Sequence, residues 1–181
     1  MAQLNDVLPR IRGRLANWWD FGDQEYPCII AIVPGTGAVD DTDDLTRFWT
    51  DEDLIIRRKM AEFEQAACYG LAVPCHYIDQ GSSAMACALG CPMEFVDRET
   101  VWAVPCLSSV GEVLDVVLDF DGPVYSRIRR LTQRSTELSG GHHMVAPFAL
   151  EGMTDIMAAL LGIEPFLMAL ALDPAGVYQA M

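Results

Sequence analysis

The sequence predicts an α/β protein, an incomplete (β/α)8 TIM-type barrel with about three parallel strands, an N-terminal helix and an insertion after strand two. Three observations predict it. The runs CIIAIV (28–33), LAVPCHY (71–77) and HHMVAPF (142–148) have the length and apolar content of buried strands. Segments of helical period separate them, and strands alternating with helices imply a parallel sheet. The 181 residues supply only these three strands, whereas a closed barrel takes eight and about 250 residues. Residues 1–181 are therefore read as one domain, a truncated barrel of this kind, ending in helix at VYQAM without a stop signal.

Each element has its own warrant. Leu4, Val7, Ile11, Leu15 and Trp18 recur at helical spacing and predict an amphipathic helix over 4–19. The first strand, 28–33, is closed by Pro34-Gly35. Ile56, Met60, Phe63 and Ala67 form the stripe of the next helix, after an acidic start at Asp51. The second strand opens into Asp79-Gln80-Gly81-Ser82-Ser83. A short helix over 83–89 follows, then a hairpin pairing 94–96 with 100–104 around Asp97-Arg98-Glu99. Ser109 and Glu112 have capping-box spacing for a helix to about Leu118. Val124, Ile128, Leu131, Ser135 and Leu138 make a longer helix stopped by Gly140-Gly141. After the third strand, Thr154 onward is helical, with breaks near Gly162 and Pro174. Three parallel strands leave an open edge, so self-association through that edge is expected.

Composition narrows the function classes. Twelve basic against 26 acidic residues give a net charge of −14, which argues against a nucleic-acid partner. Every apolar stretch is interrupted before bilayer length, so no membrane span is expected. The opening MAQLNDVLPRIRGR has no signal-peptide core, and the expected compartment is the cytoplasm. The acids at Asp40, Asp41, Asp43, Asp44 and at Asp51, Glu52, Asp53 suit either a cation site or a solvated loop and helix start, and the second reading is favoured. The cysteines at 28, 68, 75, 87, 91 and 106 sit nearly all in apolar surroundings and are read as reduced, mostly buried thiols.

In chain order, RLANWWDFGDQEYPCIIAIVPG, FWTDEDLIIRRKMAEFEQAACYGLAVP, ALGCPMEF, TVWAVP and EGMTDIMAALLGIEPFLMALALDPAGV resemble successive pieces of the uroporphyrinogen decarboxylase superfamily. The resemblance runs from about Leu15 to Met181, is nearer the methyltransferase-like branch, and implies that residues 1–181 are the N-terminal half of the family's barrel domain. It implies catalysis in a pocket at the C-terminal mouth of the barrel, as the fold does. It implies one of two chemistries: cofactor-free decarboxylation of a uroporphyrinogen, or corrinoid-linked methyl transfer using zinc. The substrate would be a small molecule or a corrinoid protein. Zinc and a corrinoid would be held only with the other half of the barrel, and no metal ligands are assigned in this chain.

The decarboxylase's R-Q-A-G-R motif has a formal match in Arg10-Ile11-Arg12-Gly13-Arg14. That match lies in the first helix, where it reads as a solvated face. The segment after the first strand, Pro34-Gly35-Thr36-Gly37, carries no arginine for an acidic porphyrinogen. Asp79 stands where the family has its catalytic aspartate, within Tyr77-Ile78-Asp79-Gln80-Gly81 in place of F-S-D-I-L. Its alternative is a turn residue bonding backbone near Gly81.

The resemblance implies a mouth built from Thr36, His76, Tyr77, Asp79, Gln80 and Glu151. His76 is the candidate for proton transfer, because an unperturbed imidazole titrates near neutrality. Asp79 would orient it or polarise substrate. Thr36, Tyr77, Gln80 and Glu151 are the substrate-binding candidates, with Tyr77 and Trp102 as aromatic walls. Cys75 is expected to point into the core with His76 on the opposite side. Cys87 and Cys91 are expected on one helical face. His142 and His143 are expected at the far end of the strands. Two further readings stay open: uroporphyrinogen decarboxylation, and a non-catalytic fragment or half-barrel that binds a second chain.

Overall fold

The structure, a computed structural model, describes residues 3–23, 25–39 and 41–181. Asp40, one of the first acidic cluster, lies outside the described residues. Among the described residues the fold is mixed α/β, with short strands in two-stranded sheets and no closed barrel. The described residues divide into two compact units. The first comprises the described residues up to 42 with 51–78 and 131–147, and the second 43–50, 79–130 and 148–181.

In the first unit, α1 (Leu4–Trp19) buries Ile11, and Leu15 and Trp18 of its apolar stripe stay exposed. Arg10 and Arg12 are exposed, while Arg14 donates through Nη2 to the carbonyls of Tyr26 and Pro27 at 2.9 and 3.3 Å. Strand β1 (Ile30–Val33) follows. Helix α3 (Glu52–Gln65) is capped by Asp51, whose Oδ1 accepts the Leu54 N–H at 3.0 Å, and Glu52 and Asp53 occupy its first turn. These acids serve the helix start, as favoured. The helix buries Leu54, Ile55, Ile56 and Phe63.

The helix ends at Gln65, two residues short of the Ala67 in its expected stripe, and Ala67 opens strand β2 (Ala67–Gly70). This strand runs antiparallel to β1, with Ile30 opposite Gly70 and Val33 opposite Ala67. The expected row of three parallel strands is corrected accordingly: β1 is taken by β2. The run Leu71–Tyr77 is not one strand either. Pro74 has no N–H to give a ladder, and pairing starts after it in β3 (Cys75–Tyr77).

Strand β3 pairs in parallel with β6 (Met144–Ala146), Cys75 facing Met144 and Tyr77 facing Ala146. The Pro74 carbonyl accepts from Met144 N at 2.9 Å, and Ile78 N donates to the Ala146 carbonyl at 3.1 Å. Parallel pairing of the second and third runs is thus observed.

The connection from β3 to β6 holds the predicted insertion. Helix α4 (Ala84–Ala88) ends before Gly90, whose φ of 118° turns the chain, so Cys91 lies beyond the helix and not on a face shared with Cys87. Strands β4 (Met93–Phe95) and β5 (Val101–Ala103) form the antiparallel hairpin expected around Asp97-Arg98-Glu99. Asp97 Oδ1 accepts Glu99 N at 2.8 Å inside its turn. Helix α2 (Leu45–Thr50), whose Asp44 accepts Arg47 N at 3.1 Å, packs Phe48 and Trp49 on Val101, Met93 and Phe95 of the hairpin.

Helix α5 is shorter than expected, Val110–Val113. Glu112 does fold back, accepting Ser108 N at 2.9 Å and the Ser109 hydroxyl at 3.2 Å. The following Asp115, Val116 and Val117 are weak helix formers, and the helix stops. Helix α6 (Pro123–Ser139) buries Val124, Ile128, Leu131 and Ser135 and ends at Gly140 and Gly141, both at positive φ.

The second unit closes with α7 (Met153–Leu161), α8 (Ile163–Leu172) and α9 (Pro174–Ala180). Breaks fall at Gly162 and at Asp173-Pro174, as the sequence predicts. Met157, Leu161, Phe166 and Val177 form a buried cluster, with Leu107, Val110 and Val113 packed on it. Among the described residues no single helix is long and apolar enough to cross a membrane.

Candidate functional site

The sequence candidates separate between the units: Thr36, His76 and Tyr77 in the first, Asp79, Gln80 and Glu151 in the second. In the first unit, Pro74 delays the strand, so His76 sits mid-strand in β3 instead of at its C-terminal end. Its side chain is 2% exposed. Nδ1 lies 2.8 Å from Ser135 Oγ of α6, and that oxygen lies 3.2 Å from His143 Nε2. His143 Nε2 is also 3.2 Å from the Ser135 carbonyl. A carbonyl only accepts, so His143 Nε2 carries the proton. The Ser135 hydroxyl is then free to donate to His76 Nδ1. His143, expected at the far end of the strands, instead shares a buried polar chain with His76.

Burial lowers the His76 pKa to about 4, helped by the charges of Lys59, His143 and Arg58. Burial likewise lowers that of His143. His76 is therefore a neutral imidazole near pH 7, with its Nδ1 lone pair engaged by Ser135. The near-neutral titration on which its proton-transfer role rests is absent. Cys75, expected in the core, is only half-buried and lines a cavity of about 230 Å³ with Pro34, Gly35, Lys59, Glu62 and Phe63. The inward and outward sides of the strand are thus opposite to the expectation.

Thr36 is exposed in the loop after β1, and Tyr77 is 43% exposed. The glycines flanking Thr36 have a packing role. A Cβ at Gly35 would meet Gln65 Cβ at 2.3 Å, and one at Gly37 would meet Gln65 Oε1 at 2.5 Å. At Gly35 the backbone is pressed against the end of α3 and only glycine fits, whereas at Gly37 the neighbour is the movable amide end of Gln65.

In the second unit, the exposed Asp79 accepts Gly81 N through Oδ1 at 2.8 Å, the turn bond of its alternative reading. Gly81 has φ 88°, and a Cβ there would meet Val101 Cβ at 2.5 Å. Gln80 is 1% exposed. Its Oε1 accepts Arg127 Nε at 2.5 Å, and its Nε2 donates to the Asp79 and Trp49 carbonyls at 2.8 and 3.4 Å. Arg127 also points Nη2 at Met93 Sδ, 3.3 Å away. Gln80 and Arg127 hold the hairpin and α2 together by hydrogen bonds, and Gln80 offers no open face to substrate.

Two candidates do converge. Glu151 and Trp102 line one cavity of about 640 Å³, with Ser82, Ser83, Asp155 and Ile163 among its other walls. Glu151 has a φ of 58°, an uncommon conformation for a non-glycine residue. Its Oε1 accepts Met85 N at 3.0 Å at the start of α4. Burial raises its pKa, the Met85 N–H partly offsets this, and Asp155 raises it further. Asp155 reaches back to Gly152 N at 3.3 Å, fixing the entry to α7. Ser82, Ser83 and Asp155 escaped sequence reasoning as site residues. The first two stand in the polar run after Asp79, and the third sits in the first turn of α7, where an acid suits the helix start.

A second cavity, of about 620 Å³, is walled by residues including Cys87, Cys91, Phe95, Asp119 and Arg127. Burial pushes the Cys87 thiol up to about 11. Among the described residues, no group of three or more His, Cys, Asp or Glu is placed to hold a metal ion. No protein-family model, curated protein or solved structure matches this chain.

Proposed function

We propose that the chain is part of a uroporphyrinogen decarboxylase-type (β/α) barrel protein whose complete form carries out corrinoid-linked methyl transfer. One observation carries the reading. The parallel β3–β6 pair is joined by a helical connection that holds the β4–β5 hairpin, where the resemblance expects an insertion after strand two. The cavity of Trp102 and Glu151 is the substrate-binding element. Its volume of about 640 Å³ is in the range of small-molecule sites. It takes an edge or side arm of a macrocycle, with Trp102 offering an apolar face and Glu151 a hydrogen bond.

The charge of the site favours a corrinoid with neutral amide arms over a porphyrinogen with carboxylate arms. Glu151 and Asp155 would repel carboxylates, and the net charge of −14 adds to that repulsion. His76 and Gln80 support the fold in this reading, and Asp79 shapes its turn. Calorimetric titration with hydroxocobalamin and, separately, uroporphyrin tests it. Saturable binding of the corrinoid, weakened in Trp102→Ala, is expected. Saturable binding of uroporphyrin alone would favour decarboxylation, and binding of neither would remove the tetrapyrrole reading.

A second reading, association with another chain, rests on helix α8. Ile163, Leu167 and Leu172 on it are 69%, 57% and 77% exposed, a degree of apolar exposure that favours a partner surface.

A further inference from the structure

Cys91 and Cys106 lie at the two feet of the β4–β5 hairpin. Their sulfurs are 3.1 Å apart. Both backbones are anchored there. Cys91 N donates to the Ala86 carbonyl at 3.1 Å, and Cys106 N to the Leu160 carbonyl at 2.9 Å. Between them, Val104 N donates to the Pro92 carbonyl at 2.9 Å. Cys91 Sγ also approaches the Ala159 carbonyl at 3.7 Å, so both residues rest on the C-terminal turn of α7. Cys91 is 4% exposed, whereas Cys106 is open to solvent.

We propose that Cys91 and Cys106 are a redox pair that a hydroperoxide converts to a reversible disulfide, clamping the hairpin shut at its base. A covalent S–S bond is about 2.0 Å long, so closure asks for about 1 Å of sulfur movement from the separation observed. The anchored backbones need not be rebuilt for that. The arrangement pairs an accessible thiol with a buried one beside it, as in thiols that are oxidised and then resolved.

The chemistry balances in two steps. The Cys106 thiolate attacks one peroxide oxygen. An S–O bond forms, the O–O bond breaks, and the departing oxygen takes up a proton to leave as water or an alcohol. Cys91 sulfur then attacks Cys106 sulfur. The S–S bond forms, the S–O bond breaks, and hydroxide leaves with the Cys91 proton as water. Two thiols are oxidised and one peroxide is reduced, and a small dithiol reverses the bridge by exchange. The order of the steps follows from exposure. Burial and the neighbouring Cys106 push the Cys91 thiol up to about 12, so it keeps its proton and waits as the resolving group.

The bridge closes the ring that runs through β4 and β5, including Trp102. Oxidation would therefore stiffen one wall of the cavity that Trp102 and Glu151 line, but the proposal stands without the functional reading of that cavity.

The test uses the reduced full chain with one equivalent of hydrogen peroxide, followed by non-reducing peptide mapping. The expected product has lost the mass of two hydrogens and yields a single cross-linked peptide joining Cys91 to Cys106, restored by dithiothreitol. Cys87→Ser should form the same bridge. Cys91→Ser should instead leave Cys106 as a sulfenic acid that dimedone captures. A bridge to Cys87 or another cysteine, or oxidation of Cys106 with Cys91 left as a free thiol, would overturn the proposal. Because the wild-type map is decisive alone, a variant that fails to fold does not weaken the test.

Discussion

Ser135 Oγ holds His76 Nδ1 at 2.8 Å, from near the C-terminal end of α6 to the middle of β3, with both side chains out of solvent. This hydrogen bond ties α6 to the only parallel strand pair among the described residues. It joins two polar residues that are far apart in the chain. Its energetic weight comes from burial, because an unsatisfied polar group there has no water to turn to.

Stability should accordingly fall in mild acid. The folded-state pKa of His76 is about 4, below the ordinary 6.5 of the unfolded chain. Between those values the unfolded state binds the extra proton. The contribution of a neutral His76 is thus complete above pH 6.5 and is lost as pH falls toward about 4, for a total of about 3 kcal/mol. His143, lowered in the same direction, adds to the loss. Urea denaturation across this range should show the slope, and His76→Gln should flatten it. An unchanged slope in that variant would mean that other groups carry the acid sensitivity.

Removing the hydroxyl tests the same chain without changing charge. Ser135→Ala leaves His76 Nδ1 without its partner and should cost about 1–3 kcal/mol in urea denaturation. The His76 ring nitrogen resonances should move as well. A purely volumetric effect would lower stability and leave those resonances in place.

The turn at Asp79 separates shape from chemistry. Asp79→Ala should lose about 1 kcal/mol through the missing bond to Gly81 N, whereas Asp79→Asn keeps an acceptor and should be nearly neutral. Gly81→Ala should cost more than about 1 kcal/mol, since the residue has φ 88° and its new Cβ would strike Val101. Thermal melts of the three variants decide it. Equal destabilisation by Asn and Ala at position 79 would show that the carboxylate charge matters beyond the turn.

The exposed apolar side chains of α8 give a prediction about association. Sedimentation velocity should show a concentration-dependent shift to larger species, and Leu167→Glu, at a 57% exposed position, should move the population toward monomer. A wild-type chain that remains monomeric at high concentration would count against the second reading.

The readable parts of the sequence were those fixed locally. The hairpin follows from Asp97-Arg98-Glu99, and the end of α6 from Gly140-Gly141. The breaks at Gly162 and Pro174 follow from backbone freedom and a missing N–H. Strand partnership is non-local and was not readable. Residues 67–70 are too short and too weakly alternating to announce a strand, yet they take the edge of β1. Pro74 was visible, but its effect, a late strand start that turns His76 inward, depends on where β6 lies.

The candidate site was legible in part for the same reason. Glu151 and Trp102 were named as separate residues, and only the fold brings them to one cavity. Gln80 looked like a ligand contact because its partner, Arg127, lies 47 residues further on. Nothing in the local sequence reports that bond.

The proposed function is tested most directly by hydrogen–deuterium exchange of the full chain with and without hydroxocobalamin. Slowed exchange is expected only at the cavity walls, residues 82–83, 102–105 and 151–163. The same segments in Trp102→Ala should show little slowing at the same corrinoid concentration. Slowed exchange elsewhere in the chain, or none at a concentration that saturates binding by calorimetry, would contradict it.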